Sequence, residues 1–118
     1  MSLHVTAIAA HFPPIQNEKS LSDGQKVIAL AVSIITAAKA TADQIDGQVT
    51  IIVHVPKKYQ HLLEPRMKRS LLTGTIKYQL KKTDDSPRLK LQRIGNKQPI
   101  VRFSAQKKAT PTRKDGGG

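Results

Sequence analysis

The chain of 118 residues contains no cysteine and no tryptophan, and its aromatic side chains are few. Without cysteine it forms no disulfide, offers no thiolate to a metal ion and has no thiol nucleophile. The remaining aromatic residues are Phe12, Tyr59, Tyr78 and Phe103. Proteins that bind single-stranded nucleic acid usually stack bases on exposed rings. So few rings therefore favour contacts to phosphate or to lipid headgroups.

Long apolar runs and catalytic motifs are missing as well. The longest apolar stretch, 27–38, is interrupted by Ser33 and Thr36 and is shorter than the ~20 residues that a membrane-spanning helix needs. The apolar residues at the start follow no basic segment, so we expect no signal peptide and an intracellular, soluble protein. The four histidines lack a paired spacing, and no nucleophile motif or phosphate-binding glycine loop occurs. The sequence predicts no enzyme, no metal, no cofactor and no small-molecule substrate.

Positive charge is what the sequence has in excess. Twenty Lys and Arg against eight Asp and Glu give a net charge of +12 and a pI near 10.3. Residues 1–55 hold three cations and four acids, a net of −1, so residues 56–118 carry +13. A charge of this size repels itself unless an anionic partner offsets it. The second half of the chain is therefore predicted to contact a polyanion.

Hydrophobic periodicity predicts the elements of the first two thirds. Period-2 alternation indicates strands over 3–10 and 49–55, the second of them central in the sheet. Apolar residues at three- and four-residue spacing predict a helix that begins after Ser22, with Gln25 at capping-box distance. A half-buried strand with a cationic outer face is predicted over 72–82.

The last third is predicted to contain two short strands around Gly95-Asn96, as a hairpin. The predicted fold is therefore α+β, with a small mixed or antiparallel sheet of about five strands on one main amphipathic helix. The expected order is β-α-β-turn-β-β-β. Residues 1–104 form the single domain, and 105–118, which lack an apolar anchor, form a disordered basic tail.

The stretch 54–85 concentrates the charge, with eight cations and three acids in 32 residues. Most runs of this kind are merely solvated surface. Here, however, cations recur on the predicted connection, strand and hairpin of the same half. The residues predicted to contact an anion, lipid or nucleic acid are Lys57, Lys58, Arg66, Lys68, Arg69, Lys77, Lys81, Lys82, Arg88, Lys90, Arg93 and Arg102.

Two segments, Val55–Tyr59 (VPKKY) and Leu71–Asp85 (LLTGTIKYQLKKTDD), resemble a connection and a G-T-I strand in the matrix proteins of rhabdoviruses, in particular vesiculoviruses. The likeness extends over roughly residues 3–85. It implies a small α/β fold that self-associates, condenses the nucleocapsid and binds the inner leaflet of the host membrane. The chain departs from that family in its short length and in lacking a basic N-terminal arm and a PPxY motif.

Two function hypotheses follow. The first is a viral matrix-like structural protein, in the virion and at the inner membrane surface or in the cytoplasm of the host, that bridges nucleocapsid and anionic membrane. The resemblance implies a homo-oligomer, and its contacts are expected at Tyr59, Leu62, Leu63, Leu71 and Leu72. The alternative is a small RNA-binding module, such as a silencing suppressor or movement-type factor, that contacts the phosphate backbone.

Overall fold

The computed structural model describes residues 5–45, 47–63, 66–84, 88–95 and 98–106, without the side chains of 66–68. The helices and strands follow in the order β1 (Val5–Ile8), α1 (Asp23–Ala42), β2 (Val49–His54), α2 (Arg66–Lys82), β3 (Leu89–Ile94) and β4 (Ile100–Ala105). Two 3₁₀ helices, Glu18–Ser20 and Lys57–Leu62, precede α1 and α2.

The four strands form one mixed sheet in the order β1-β2-β4-β3. β1 and β2 run parallel, and the other two pairs are antiparallel. The predicted α+β class is confirmed, and four strands agree with the expected number of about five. β2 lies between two neighbours, as its apolar sequence predicted.

Helix α1 begins where the sequence predicted it to begin. The Ser22 backbone N–H donates to Gln25 Oε1 at 2.8 Å, and the Gln25 N–H donates to Ser22 Oγ at 3.3 Å. This capping box satisfies two backbone donors that a helix start leaves unpaired. After the helix, Gly47 adopts a φ of +85°, a conformation that L side chains rarely adopt, on the way into β2.

The core lies between the helices and one face of the sheet. Alternate residues of the two central strands point into it and are at most 2% exposed: Val49, Ile51 and Val53 of β2, and Val101, Phe103 and Ala105 of β4. Helix α1 packs on β2, α2 packs on β3, and the two helices pack beside each other. The opposite face, here called the open sheet face, carries the alternate side chains of all four strands: Thr6, Ile8, Thr50, Ile52, His54, Lys90, Arg93, Ile100, Arg102 and Ser104.

The strand predicted over 72–82 is wrong, because this segment belongs to helix α2. Its apolar residues Leu72, Ile76 and Leu80 are spaced by four, which fits a period of 2 as well as one turn of helix. All three are at most 3% exposed and lie on one side of α2. The basic segment 66–69 is the first turn of the same helix.

The β-branched residues that favoured a strand are accommodated within α2 by local hydrogen bonds. The hydroxyl of Thr73 donates to the Arg69 carbonyl at 2.9 Å, and that of Thr75 donates to the Leu71 carbonyl at 2.7 Å. Such bonds to the carbonyl four residues earlier satisfy a threonine inside a helix. The G-T-I segment of the resemblance, residues 74–76, is therefore helical rather than extended.

The Lys57–Leu62 3₁₀ helix closes the end of the core at which β2 ends. Tyr59 is fully buried, its ring centroid lies 5.9 Å from that of Phe12, and its hydroxyl accepts a hydrogen bond from the Ile15 N–H at 2.9 Å. Four residues predicted for self-association, Tyr59, Leu62, Leu63 and Leu72, are at most 5% exposed and belong to this core. That prediction is corrected for these four, and Leu71, at 53% exposed, stays at the surface.

The predicted boundary between domain and tail moves slightly. Ala105, expected to start the tail, ends β4 and is 2% exposed, and the Gln106 N–H donates to the Arg88 carbonyl at 2.9 Å. Both strands of the predicted hairpin are present. Asn96 of its turn and residues 107–118 of the tail lie outside the described residues.

Within the described part of the chain, α1 is the one helix that is long and apolar enough to cross a membrane by length and composition. In the fold, 56% of its most apolar window is buried. Length and composition do not by themselves make it a membrane span, because a helix buried in the core of a domain has the same properties.

We expect that replacing Tyr59 by Phe lowers the free energy of unfolding by about 1–3 kcal/mol, because the buried Ile15 N–H loses its acceptor. Tyr78→Phe, at a side chain that is 61% exposed, is the matched control and should leave stability unchanged. Urea unfolding of both variants measures the difference. Equal stability of the two variants would show that the Tyr59 hydroxyl contributes nothing.

Candidate anion-binding surface

The open sheet face carries cations and no acid. None of the four strand segments contains Asp or Glu, whereas Lys90, Arg93 and Arg102 are exposed on β3 and β4. The four described acids, Glu18, Asp23, Asp43 and Asp84, lie instead on the helices and their connections. The described acids therefore lie away from this face, which attracts anions.

Two arginines stand directly opposite each other on this face. Arg93 of β3 and Arg102 of β4 are register partners. A β-bulge between Leu91 and Arg93 adds Gln92 to β3, so that an arginine rather than a glutamine faces Arg102. Like charges directly across an antiparallel pair destabilise it by roughly 0.2–1 kcal/mol. Neither arginine forms an ion pair with a described carboxylate, so the fold carries this cost without compensation from those residues.

Hydroxyl groups form a second row across the sheet. Thr6 pairs with Thr50, Thr50 with Ser104 and Ser104 with Lys90, so that three hydroxyl side chains and a lysine lie in line. The neighbouring row is Ile8, Ile52, Arg102 and Arg93. Hydroxyl, ammonium and guanidinium groups are the side chains that commonly donate to phosphate oxygens. Thr50 is buried, so the accessible donors of the two rows are Thr6 on β1 and Ser104, Arg102, Lys90 and Arg93 on β4 and β3.

A second cationic region lies at the end of the sheet where β2 ends. Lys57 and Lys58 of the 3₁₀ helix are exposed, and Lys58 Nζ lies 5.1 Å from the centroid of the Tyr59 ring. The Val55 N–H donates to the Pro99 carbonyl at 2.8 Å, which ties this end to the entry into β4. The segment that carries these two lysines therefore begins beside Pro99, which precedes β4.

The cations of α2 face a different direction. Lys77, Lys81 and Lys82 are exposed on the helix, whereas Arg69 is half-buried. Arg66 and Lys68 belong to the same helix, but their side chains lie outside the described residues. Because the helices cover the face of the sheet opposite to Arg93 and Arg102, the predicted contact residues do not form one continuous surface.

Arg88 was predicted to contact an anionic partner, and the structure assigns it to the fold instead. Its Nη2 lies 2.5 Å from Asp43 Oδ1, and its side chain is only 15% exposed. Asp43 follows the end of α1, and Arg88 precedes β3. The ion pair therefore holds the start of β3 against the helix layer, and this arginine has its anion within the chain.

Histidines and acids are not gathered into a metal site among the residues that the structure describes, where no group of three such side chains is close enough to hold an ion. His54 and His61 are both exposed. The absence of a cofactor and of enzymatic activity stays a prediction.

The three cations of the open sheet face are among the residues predicted from the sequence, but the hydroxyl row and the arginine pair were not predicted. Thr50 and Ser104 lie at alternating positions of β2 and β4, which indicates the side of the strand on which they lie. Their alignment depends on the strand order, and the opposition of Arg93 and Arg102 depends on the bulge. Neither is encoded in a local pattern.

Comparison of the chain with protein-family models, with curated proteins and with solved structures finds no match. The similarity to rhabdovirus matrix proteins therefore stays a prediction that depends on short motifs.

We expect opposite effects from two arginine substitutions measured in the absence of any ligand. Arg102→Gln relieves the repulsion with Arg93 and should raise the free energy of unfolding by a few tenths to about 1 kcal/mol at low salt, less at high salt. Arg88→Gln breaks a partly buried ion pair and should lower it by about 1 kcal/mol. Urea unfolding at two salt concentrations tests both. Equal destabilisation by the two changes would contradict the repulsion between Arg93 and Arg102.

Proposed function

We propose that the protein binds nucleic acid, RNA in the first place, through the phosphate backbone at the open sheet face. The observation that carries this proposal is the pair Arg93 and Arg102, opposed across two strands on a face without acids. A bound phosphate converts the mutual repulsion of the two guanidinium groups into attraction for a common anion. Guanidinium groups also match phosphate geometry through paired hydrogen bonds.

The composition of the open sheet face supports backbone contacts rather than recognition of bases. The single aromatic residue in the four strands is Phe103, which is fully buried on the opposite face. Without exposed rings in its strands, the sheet has no platform on which unpaired bases stack. Thr6, Ser104 and Lys90 supply donors that suit phosphate oxygens of any sequence. We therefore expect binding that depends strongly on salt and weakly on base sequence.

The proposal is tested with an RNA duplex titrated at several salt concentrations. The double variant Arg93→Gln/Arg102→Gln should bind at least about tenfold more weakly, and the slope of log K against log salt should fall by about 2, one for each lost phosphate contact. Lys77→Gln/Lys81→Gln removes the same charge from α2 and is the matched control. It should weaken RNA binding by less than about threefold, because it changes only the long-range electrostatic attraction.

Equal losses in the two double variants would contradict an interface on the sheet. A salt response that is flat for the wild type would contradict phosphate binding altogether. A duplex of the same length in DNA, and an RNA single strand, measure how far the binding depends on the sugar and on pairing.

A second candidate function is the matrix-like one, in which the protein bridges RNA and an anionic membrane at the inner surface of the host membrane and in the virion. The exposed Lys57 and Lys58 favour it, because they form a cationic site on the 3₁₀ helix, on a different element from Arg93 and Arg102. Clustered lysines near an anionic bilayer contribute about 1 kcal/mol each. Two cationic sites are what a bridge between two polyanions requires.

For this candidate we expect sedimentation of the protein with vesicles that contain phosphatidylserine. Lys57→Gln/Lys58→Gln should reduce vesicle binding by about tenfold or more, as the loss of two such contacts predicts, while RNA binding changes little. Vesicles of neutral lipid are the control. Failure of the wild-type protein to bind anionic vesicles would contradict the membrane-binding part of this candidate and would not affect the RNA proposal.

A further inference from the structure

The strand order β1-β2-β4-β3 gives the sheet two edges, and only the edge at β3 is protected against pairing with another strand. Proteins usually shield a sheet edge with charged side chains, a bulge or proline. The β3 edge has the exposed cations Lys90 and Arg93 and a bulge between Leu91 and Arg93. β1 pairs with β2 without a bulge, and residues 1–17 contain no Asp, Glu, Lys or Arg. The β1 edge therefore carries no charge that would deter a second strand.

The hydrogen bonds between β1 and β2 show which backbone groups lie at this edge. The Ala9 N–H donates to the Ile52 carbonyl at 2.9 Å, so the backbone groups of Ala9 face β2. In a parallel pair, every second residue of a strand faces its neighbour in this way. The N–H and C=O groups of Thr6 and Ile8 therefore point away from β2. Among the described residues no other strand pairs with β1, so two donors and two acceptors lie at the free edge.

Charge divides the sheet into a nearly neutral half and a basic half. Residues 1–55 contain β1, α1 and β2 and carry a net charge of −1, whereas residues 56–118 contain α2, β4 and β3 and carry +13. The strand order places the β1 edge at the outer side of the nearly neutral half. Two copies of a chain with a net charge of +12 repel each other least where these halves meet. A strongly acidic partner would be attracted to the basic half instead.

We infer that β1 pairs antiparallel with β1 of a second copy, about a two-fold axis at Ala7, so that the two sheets continue as one. In this register Thr6 of each copy lies opposite Ile8 of the other. Each of the two pairs exchanges two backbone hydrogen bonds, so all the outward groups of both strands find partners. A register centred on Thr6 or on Ile8 would pair the other residue with a position outside β1. The contact uses one patch on both copies, as two-fold symmetry requires.

The same register covers the large apolar side chains exposed at this edge. Val5 is 43% exposed and Ile8 is 62% exposed. Residues that face each other across antiparallel strands have side chains on the same face. Ile8 therefore lies beside Thr6 of the other copy on the open sheet face, and Val5 lies beside Ala9 of the other copy on the helix side. The contact is shorter than a standard interface, so we expect a dimer that dissociates on dilution.

The inference does not depend on nucleic-acid binding and is tested without nucleic acid. Sedimentation velocity of the full chain over a concentration series should show a monomer that converts to a dimer. Association should stop at the dimer, because the pairing occupies the unprotected edge of both copies. Added salt should strengthen the dimer, because it screens the repulsion between two chains of like charge. Binding to phosphate depends on salt in the opposite direction.

Two substitutions at the edge and one control locate the contact. Ile8→Lys adds a cation to the edge of each copy and should weaken dimerisation by at least about tenfold, because symmetry doubles the change. Gln92→Lys adds the same charge at the exposed bulge of β3 and should dimerise like the wild type. Thr6→Pro removes an N–H that points away from β2, so it should weaken the dimer by a similar factor of about ten and leave the monomer folded.

A wild type that stays monomeric at every concentration would overturn the inference, and so would association that continues beyond the dimer. Dimers that survive both Ile8→Lys and Thr6→Pro would place the contact elsewhere and overturn it as well. Equal weakening by Gln92→Lys and Ile8→Lys would show an effect of net charge rather than of the β1 edge, which also contradicts the inference.

Discussion

Packing of both helices on one face of a single sheet is the constraint on which the rest of the molecule depends. The buried rows of β2 and β4 pack in one core with α1, α2 and the Lys57–Leu62 3₁₀ helix. Side chains alternate between the two faces of a strand, so the neighbour of each inward residue, such as Ile51 or Phe103, points to the opposite face. That side receives Ile52 and Arg102, and the described helices leave it uncovered. The surface chemistry of the open sheet face is thus a direct consequence of how the core is built.

Acidic side chains follow the same division into layers, whereas cations lie on both layers. The described acids lie on the helix layer and its connections, where Asp43 holds Arg88, while the strands carry only cations. The bulge at Gln92 then brings Arg93 opposite Arg102, at a cost to the fold. A repulsion that destabilises the fold and persists on an exposed surface is a reason to look for a ligand that removes it.

The sequence predicted the α+β class, α1 with its capping box and the central position of β2, because these follow from strong local periodicity and end signals. It failed at α2, where Leu72, Ile76 and Leu80 fit both periods and Thr73 and Thr75 favour a strand locally. Burial of the four-spaced leucine and isoleucine side chains against the sheet overrides that local preference. Among the site residues, individual cations such as Lys90 were predictable. Their neighbours across strands were not, because register and bulge position are set by tertiary packing.

Mapping amide chemical shifts as an RNA duplex is added tests the proposed nucleic-acid site on the open sheet face residue by residue. We expect the largest changes on β3 and β4, around Lys90, Arg93, Arg102 and Ser104. We also expect that the outer side of α2, around Lys77 and Lys81, changes little. Changes centred on α2 with the sheet unaffected would contradict the proposed site.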